Sequence, residues 1–129
     1  VNTDNRLSKI DGRDYSQSLR ANATKAGSPI EDRELVFHYP HVWGPKGAGY
    51  QPHSSIRIGD WKAIYFYQTR TWELYDLGRD LSETHDLAPT DSPRLRELAN
   101  RLKNNLQAAD ALMPFDFIAG QDEPIQPPK

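Results

Sequence analysis

Ser54-Ser55-Ile56-Arg57-Ile58-Gly59-Asp60-Trp61-Lys62-Ala63-Ile64-Tyr65-Phe66-Tyr67 decides the fold. Two apolar, β-prone runs meet at Gly59-Asp60, a dipeptide suited to a two-residue hairpin because glycine supplies the positive φ such turns need. Gln68-Thr69-Arg70 makes a second turn before Thr71-Trp72-Glu73-Leu74-Tyr75. Strands joined this tightly are antiparallel neighbours. Both faces of Trp61–Tyr67 are largely apolar, with Lys62, Ile64 and Phe66 on one and Trp61, Ala63, Tyr65 and Tyr67 on the other. That is the pattern of a central strand covered on both sides.

Working outward, Glu34-Leu35-Val36-Phe37-His38-Tyr39 reads as a preceding strand. Leu35, Phe37 and Tyr39 share one face; Glu34, Val36 and His38 share the other. Pro40 ends it, having no N–H for the ladder. The loop from His41 to His53 is long for a small domain, and such loops are more often functional than idle. Further upstream, Asp14–Arg20 has the makings of one or two helical turns. Downstream of Leu77 the chain turns polar and acidic. Ser92 is placed to cap a helix, Pro93 suits its first position, and Leu95, Leu98, Leu102 and Leu106 recur at helical spacing until the pattern fades near Asp110. From Gln121 the tail is rich in Pro and Gln and is expected to be loose.

The fold class that follows is α+β: a four-stranded antiparallel β-sheet packed against one C-terminal amphipathic helix. Residues 1–10 form an irregular lead-in, 11–114 the domain and 115–129 a Pro-rich tail. One helix covers one sheet face, so the second, aromatic-bearing face calls for another cover. That is the mark of a subdomain, and it makes a dimer through the exposed sheet face one expectation. The chain has 129 residues, only 36% of them hydrophobic, with a mean hydropathy of −0.81. Both values are low for a self-sufficient globule. Opening at Val1 rather than Met, it is expected to be a processed or excised piece of a longer protein.

Net charge is −2, which gives no electrostatic case for nucleic acid or an anionic membrane. No apolar run approaches the roughly 20 residues that span a bilayer. There is no cysteine, so disulfides, Cys-ligated metals and a thiol nucleophile are excluded from this sequence.

The densest titratable set is His38, His41 and His53, with Tyr39, Lys46 and Tyr50 nearby. His38-x-x-His41 would serve zinc only with a third ligand from His53, His85 or an acid. The alternatives are a strand histidine satisfied by hydrogen bonds with its loop counterparts in solvent, or histidines lining part of a larger pocket. No serine sits in a G-x-S-x-G elbow, and the acids Asp76, Asp80 and Glu83 lack EF-hand spacing. They read as turn formers. Trp43, Trp61 and Trp72 are of a type that stacks on sugars, but only Trp43 lies outside a strand. No catalytic residue and no metal site is assigned from the residues themselves.

His38-Tyr39-Pro40-His41, then Ser55-Ile56-Arg57-Ile58-Gly59-Asp60-Trp61-Lys62, Glu73-Leu74-Tyr75-Asp76-Leu77, Asp80-Leu81-Ser82-Glu83 and Asp86-Leu87-Ala88 form an ordered series. It resembles the C-terminal part of the sulfatase family, the formylglycine-dependent, arylsulfatase-type enzymes of the alkaline-phosphatase-like superfamily. The likeness runs from about Asp11 to Pro114. Ala63 stands where that family usually has leucine, and Asp86 where it has asparagine. The resemblance implies docking on a larger catalytic domain of the same parent chain. It implies that calcium and a formylglycine from a C/S-x-P-x-R motif belong to that domain, since this sequence lacks the motif. It implies a sulfated small molecule or glycan as substrate, with His38, His41, Trp43, Lys46 and His53 as substrate-binding candidates and Arg57 and Lys62 as structural. A periplasmic or extracellular location follows from the same likeness. A stand-alone carbohydrate-binding or interaction module is the competing expectation.

Overall fold

The computed structural model describes residues 33–42, 51–116, 121–122 and 124–128. Strands β1 (Glu34–Tyr39), β2 (His53–Ile58), β3 (Trp61–Phe66) and β4 (Thr71–Asp76) lie side by side in chain order, each antiparallel to the next. Ile58 pairs with Trp61 across a two-residue turn. Gly59 there has φ 57°, the positive value read from the sequence. The β3–β4 connection is the four-residue turn Tyr67–Arg70, one residue longer than expected, with Arg70 itself at φ 55°.

The register sorts the side chains into two faces. On one, Val36, Ile56, Ala63 and Leu74 form a row across all four strands, flanked by the Ser54–Tyr65–Trp72 and Ile58–Trp61 pairings. Helix α1 (Ser92–Ala108) covers this face, burying Leu95, Leu98, Ala99, Leu102 and Leu106 against Ile56, Ala63, Tyr65, Tyr67 and Leu74. Tyr65 packs edge-on to Tyr67 at 5.1 Å and lies 4.9 Å from Trp72, ring centre to ring centre. The guanidinium of Arg94 stands 5.1 Å from the Trp61 ring. Arg101 and Asn105 both donate to the carboxylate of Glu34, tying α1 to the edge strand. These hydrogen bonds, Asn105 first, hold the Glu34 carboxyl below its ordinary range.

Two further details differ from the sequence reading. The helix cap is Asp91 rather than Ser92: its Oδ1 accepts from Arg94 N at 3.1 Å, which moves Ser92 and Pro93 into the first turn. A carboxylate caps as well as a hydroxyl, and here it sits at the spacing that reaches the third helical N–H. The helix closes with Asp110 at φ 49°, Asp110 N donating to Gln107 O and Ala111 N to Leu106 O, a Schellman arrangement. The tail, expected to be loose, is anchored in part. Ile125 is buried in the main core, and Trp72 Nε1 donates to Gln126 O at 2.9 Å. An isolated isoleucine among prolines gives no periodic signal, yet one apolar side chain and one indole partner suffice to dock it. Phe115–Asp116 (β5) pairs with Gln121–Asp122 (β6) in a separate two-stranded ladder. The turns expected over Asp14–Arg20 lie outside the described residues.

Candidate substrate-side surface

The loop read as functional leaves the sheet at Tyr39 and returns at His53, residues paired with each other at one end of the β1–β2 ladder. The histidines at this end have different tasks. His38 points to the α1 side with both ring nitrogens engaged. Nε2–H donates to the Leu112 carbonyl at 2.6 Å, and Nδ1 lies 2.7 Å from Ser54 Oγ. A ring that donates from Nε2 accepts at Nδ1 when neutral, so Ser54 donates to it and itself accepts from Tyr67 OH at 2.8 Å. The Tyr67 hydroxyl also lies 3.7 Å from Met113 Sδ. Ser54 and Tyr67 are almost wholly buried. This chain joins strand, sheet interior and the segment after α1, and it leaves His38 no free nitrogen for a ligand.

His53 behaves differently. It lies on the face opposite α1, half-buried between Tyr39 (5.6 Å, centre to centre) and Phe66 (6.1 Å). Its Nδ1–H donates to Gln51 O at 2.8 Å, which fixes the ring and leaves Nε2 without a partner among the described residues. His41 is exposed, next to Val42, which is also exposed. Trp43 and Lys46 lie outside the described residues. Among the described residues no three His, Asp or Glu side chains converge as metal ligands, so they offer no cradle for calcium or zinc. Among those residues His38 and His41 share no site with a third ligand.

Arg57 and Lys62 both bond within the fold. Arg57 Nε donates to Gly59 O at 2.9 Å, bracing the hairpin turn, and Lys62 Nζ bonds both oxygens of Glu83 at 2.7 and 2.9 Å. The acids after β4 are turn formers. Asp80 accepts from Thr84 N, Thr84 Oγ1 and His85 N, and the backbone bond from His85 leads in holding its carboxyl below the usual range. Asp86 Oδ1 accepts from Leu74 N at 2.9 Å and Ala88 N at 2.8 Å, stitching the loop to the free edge of β4. The Asp76–Asp86 run thus holds its own turn and ties it to β4. Tyr75, buried and bonded to Glu73, has its phenol pushed well above the ordinary range, so it is a neutral donor.

Sequence reasoning missed Ser54 and Tyr67 as partners of His38. The available signal was a serine at an inward-facing strand position level with an inward histidine; without the register, nothing placed them opposite one another.

Comparisons with known proteins agree with this architecture. Residues 9–111 match the family described as N-sulphoglucosamine sulphohydrolase, C-terminal. The chain belongs to this family, and is a sulfatase C-terminal subdomain. A protein of Formosa agariphila named "Sulfatase" is 29% identical over 110 residues, covering 80% of this chain and 19% of its own length. The structure of BT4656 in complex with its substrate D-Glucosamine-2-N, 6-O-disulfate superposes with a TM-score of 0.57 at 24% identity, over 80% of this chain and 21% of that one. Ps i-CgsB in complex with k-i-k-neocarrahexaose gives 0.54 at 19% identity, over 77% and 19%. Both solved structures share the fold. The chain spans about a fifth of the length of these relatives.

Proposed function

We propose that this chain is the substrate-side portion of a sulfuric ester hydrolase acting on a sulfated carbohydrate or aryl sulfate. The nucleophile and calcium of that enzyme belong to a catalytic domain of the same parent polypeptide, and the family likeness favours an exported enzyme. The observation that carries the reading is His53, whose ring is clamped at Nδ1 and flanked by Tyr39 and Phe66, with Nε2 left without a partner among the described residues where the β1–β2 loop returns. A nitrogen held this way suits an anionic or hydroxyl-rich ligand, since the ring is oriented before the ligand arrives. His41, Trp43 and Lys46 fall on the same loop and join His53 in the proposed contact. His38 supports the loop's first stem rather than touching substrate. Family membership supports the reaction class, and the sulfated amino sugar bound by BT4656 supports the substrate class.

The test is sulfate release by the parent polypeptide from D-glucosamine-2-N,6-O-disulfate and from an aryl sulfate. His53→Ala and His41→Ala each raise KM on the sugar about tenfold, the loss expected from roughly 1.5 kcal/mol of charge-assisted hydrogen bonding. Unchanged KM and kcat in both variants would remove these histidines from the substrate site.

A further inference from the structure

Both ring nitrogens of His38 have partners, and the partners decide where a second proton can go. In the neutral ring Nε2–H donates to Leu112 O at 2.6 Å, Nδ1 accepts from Ser54 Oγ at 2.7 Å, and Ser54 Oγ accepts from Tyr67 OH at 2.8 Å. The one hydrogen of the Tyr67 hydroxyl is then spent on Ser54, and Met113 Sδ, 3.7 Å from the same oxygen, receives none. A second proton enters at Nδ1, where the lone pair is, and in a rigid chain it would meet the hydrogen that Ser54 donates. Hydroxyls both donate and accept, so this chain runs equally well the other way. Nδ1–H then donates to Ser54 Oγ, Ser54 O–H to the Tyr67 oxygen and Tyr67 O–H to Met113 Sδ, over the same 2.7, 2.8 and 3.7 Å. Only hydroxyl hydrogens turn. The thioether accepts and cannot donate, and it takes the hydrogen left over at the end.

The groups bonded to His38 are neutral: the Leu112 carbonyl, and the Ser54 hydroxyl backed by the Tyr67 phenol, whose ring stands edge-on to the imidazole at 6.3 Å. Tyr65 follows Ser54 in the same row of the sheet. Of the ionised groups on the surrounding elements, Glu34 of β1 takes Arg101 and Asn105, Arg94 and Glu97 of α1 bond each other, and Arg96, Lys103 and Asp110 are exposed. His41 is exposed and His53 lies on the opposite face.

We propose that His38, Ser54, Tyr67 and Met113 form a proton-responsive switch: when His38 is protonated the hydrogen-bond chain reverses onto the Met113 sulfur, and a positive charge appears at the stem of the β1–β2 loop while the stem holds its place. Histidine suits the task because its charge changes between about pH 5 and 8. A charge gained there in acid adds attraction for an anionic ligand on the loop; that use rests on the functional reading above, and the switch itself does not.

The experiment labels histidine with ¹³C at Cε1 in the whole polypeptide, identifies the His38 signal by its loss in His38→Gln, and reads the charged fraction from its shift between about pH 8 and 5. Met113→Leu nearly conserves volume and removes the sulfur acceptor. The expected result is that His38 becomes charged within this range, and that at about pH 6 the ratio of charged to neutral ring is severalfold lower in Met113→Leu. The signal at the alkaline end is the same in both proteins, because the neutral direction does not use the sulfur. In a Tyr67→Phe background the same leucine changes nothing, since no hydroxyl remains to donate to it. A His38 that stays neutral throughout, equal charged fractions with methionine and leucine, or a leucine effect that survives Tyr67→Phe would each overturn the proposal. None of these readings involves sulfate release, so the switch and the sulfatase reading fail separately.

Discussion

Ser54→Ala interrupts the buried chain at its centre. Ser54 Oγ gives its proton to His38 Nδ1 and accepts one from Tyr67 OH, at 2.7 and 2.8 Å, in a position with no solvent exposure. Alanine leaves the His38 nitrogen without a donor and deprives the tyrosine of its stronger acceptor, since the thioether of Met113 at 3.7 Å is a weak one. A stranded buried polar group costs about 1–3 kcal/mol, and the half-buried histidine belongs at the low end of that range. The sum is roughly 2–3 kcal/mol, which lowers Tm by about 10 °C or more in a domain of this size. Urea unfolding followed by tryptophan fluorescence reads it as a fall in midpoint with m unchanged. Ser55→Ala is the control: also buried, on the opposite face, and without a side-chain hydrogen bond among the described residues, it stays within about 0.5 kcal/mol. Tyr67→Phe combined with Ser54→Ala costs less than the sum of the two, because both act on one network. If Ser54→Ala proved as mild as Ser55→Ala, the chain would not support His38 and the loop stem above it.

Asp86 makes a second test: Asp86→Asn keeps the Oδ1 acceptor for Leu74 N and Ala88 N and is nearly neutral, whereas Asp86→Ala loses both bonds and costs about 1–2 kcal/mol by thermal unfolding. The Glu34 carboxyl titrates lower in the folded chain than its free value of 4.5, so folding favours its ionised form. That stabilisation is fully present above the free value and is lost as pH falls through the lower folded one. Glu34→Gln therefore flattens the acid limb of the stability profile, by no more than about 1 kcal/mol because the pair is partly solvated. An unchanged limb would show that its ties to Arg101 and Asn105 contribute nothing.

Most of the fold was legible because local signals agreed with one another. Gly59-Asp60 fixed one hairpin turn, Pro40 fixed the end of β1, and four leucines fixed the buried stripe of α1. Much of the likeness to sulfatases rested on residues that bond within the fold: the Lys62–Glu83 pair, the Asp80 turn and the Asp86 stitch. That is why the family was easier to read than the site. What escaped were contacts between residues far apart in sequence. His38 reaches a carbonyl 74 residues away, and Ile125 folds back from a proline-rich tail onto the core. Composition marked three histidines as candidates, and only their hydrogen bonds separated the one with both ring nitrogens engaged from the one with a nitrogen left unpartnered among the described residues.

The central claim is that this domain works as the substrate-side wall of a sulfatase. Its most direct test is to assay the whole parent polypeptide for inorganic sulfate released from D-glucosamine-2-N,6-O-disulfate, with and without His53→Ala. The account predicts sulfate release by the unaltered protein and a KM raised about tenfold by the substitution, with the fold preserved. A folded parent that binds the sugar but releases no sulfate from it or from any aryl sulfate would contradict the claim and leave a carbohydrate-binding domain in its place.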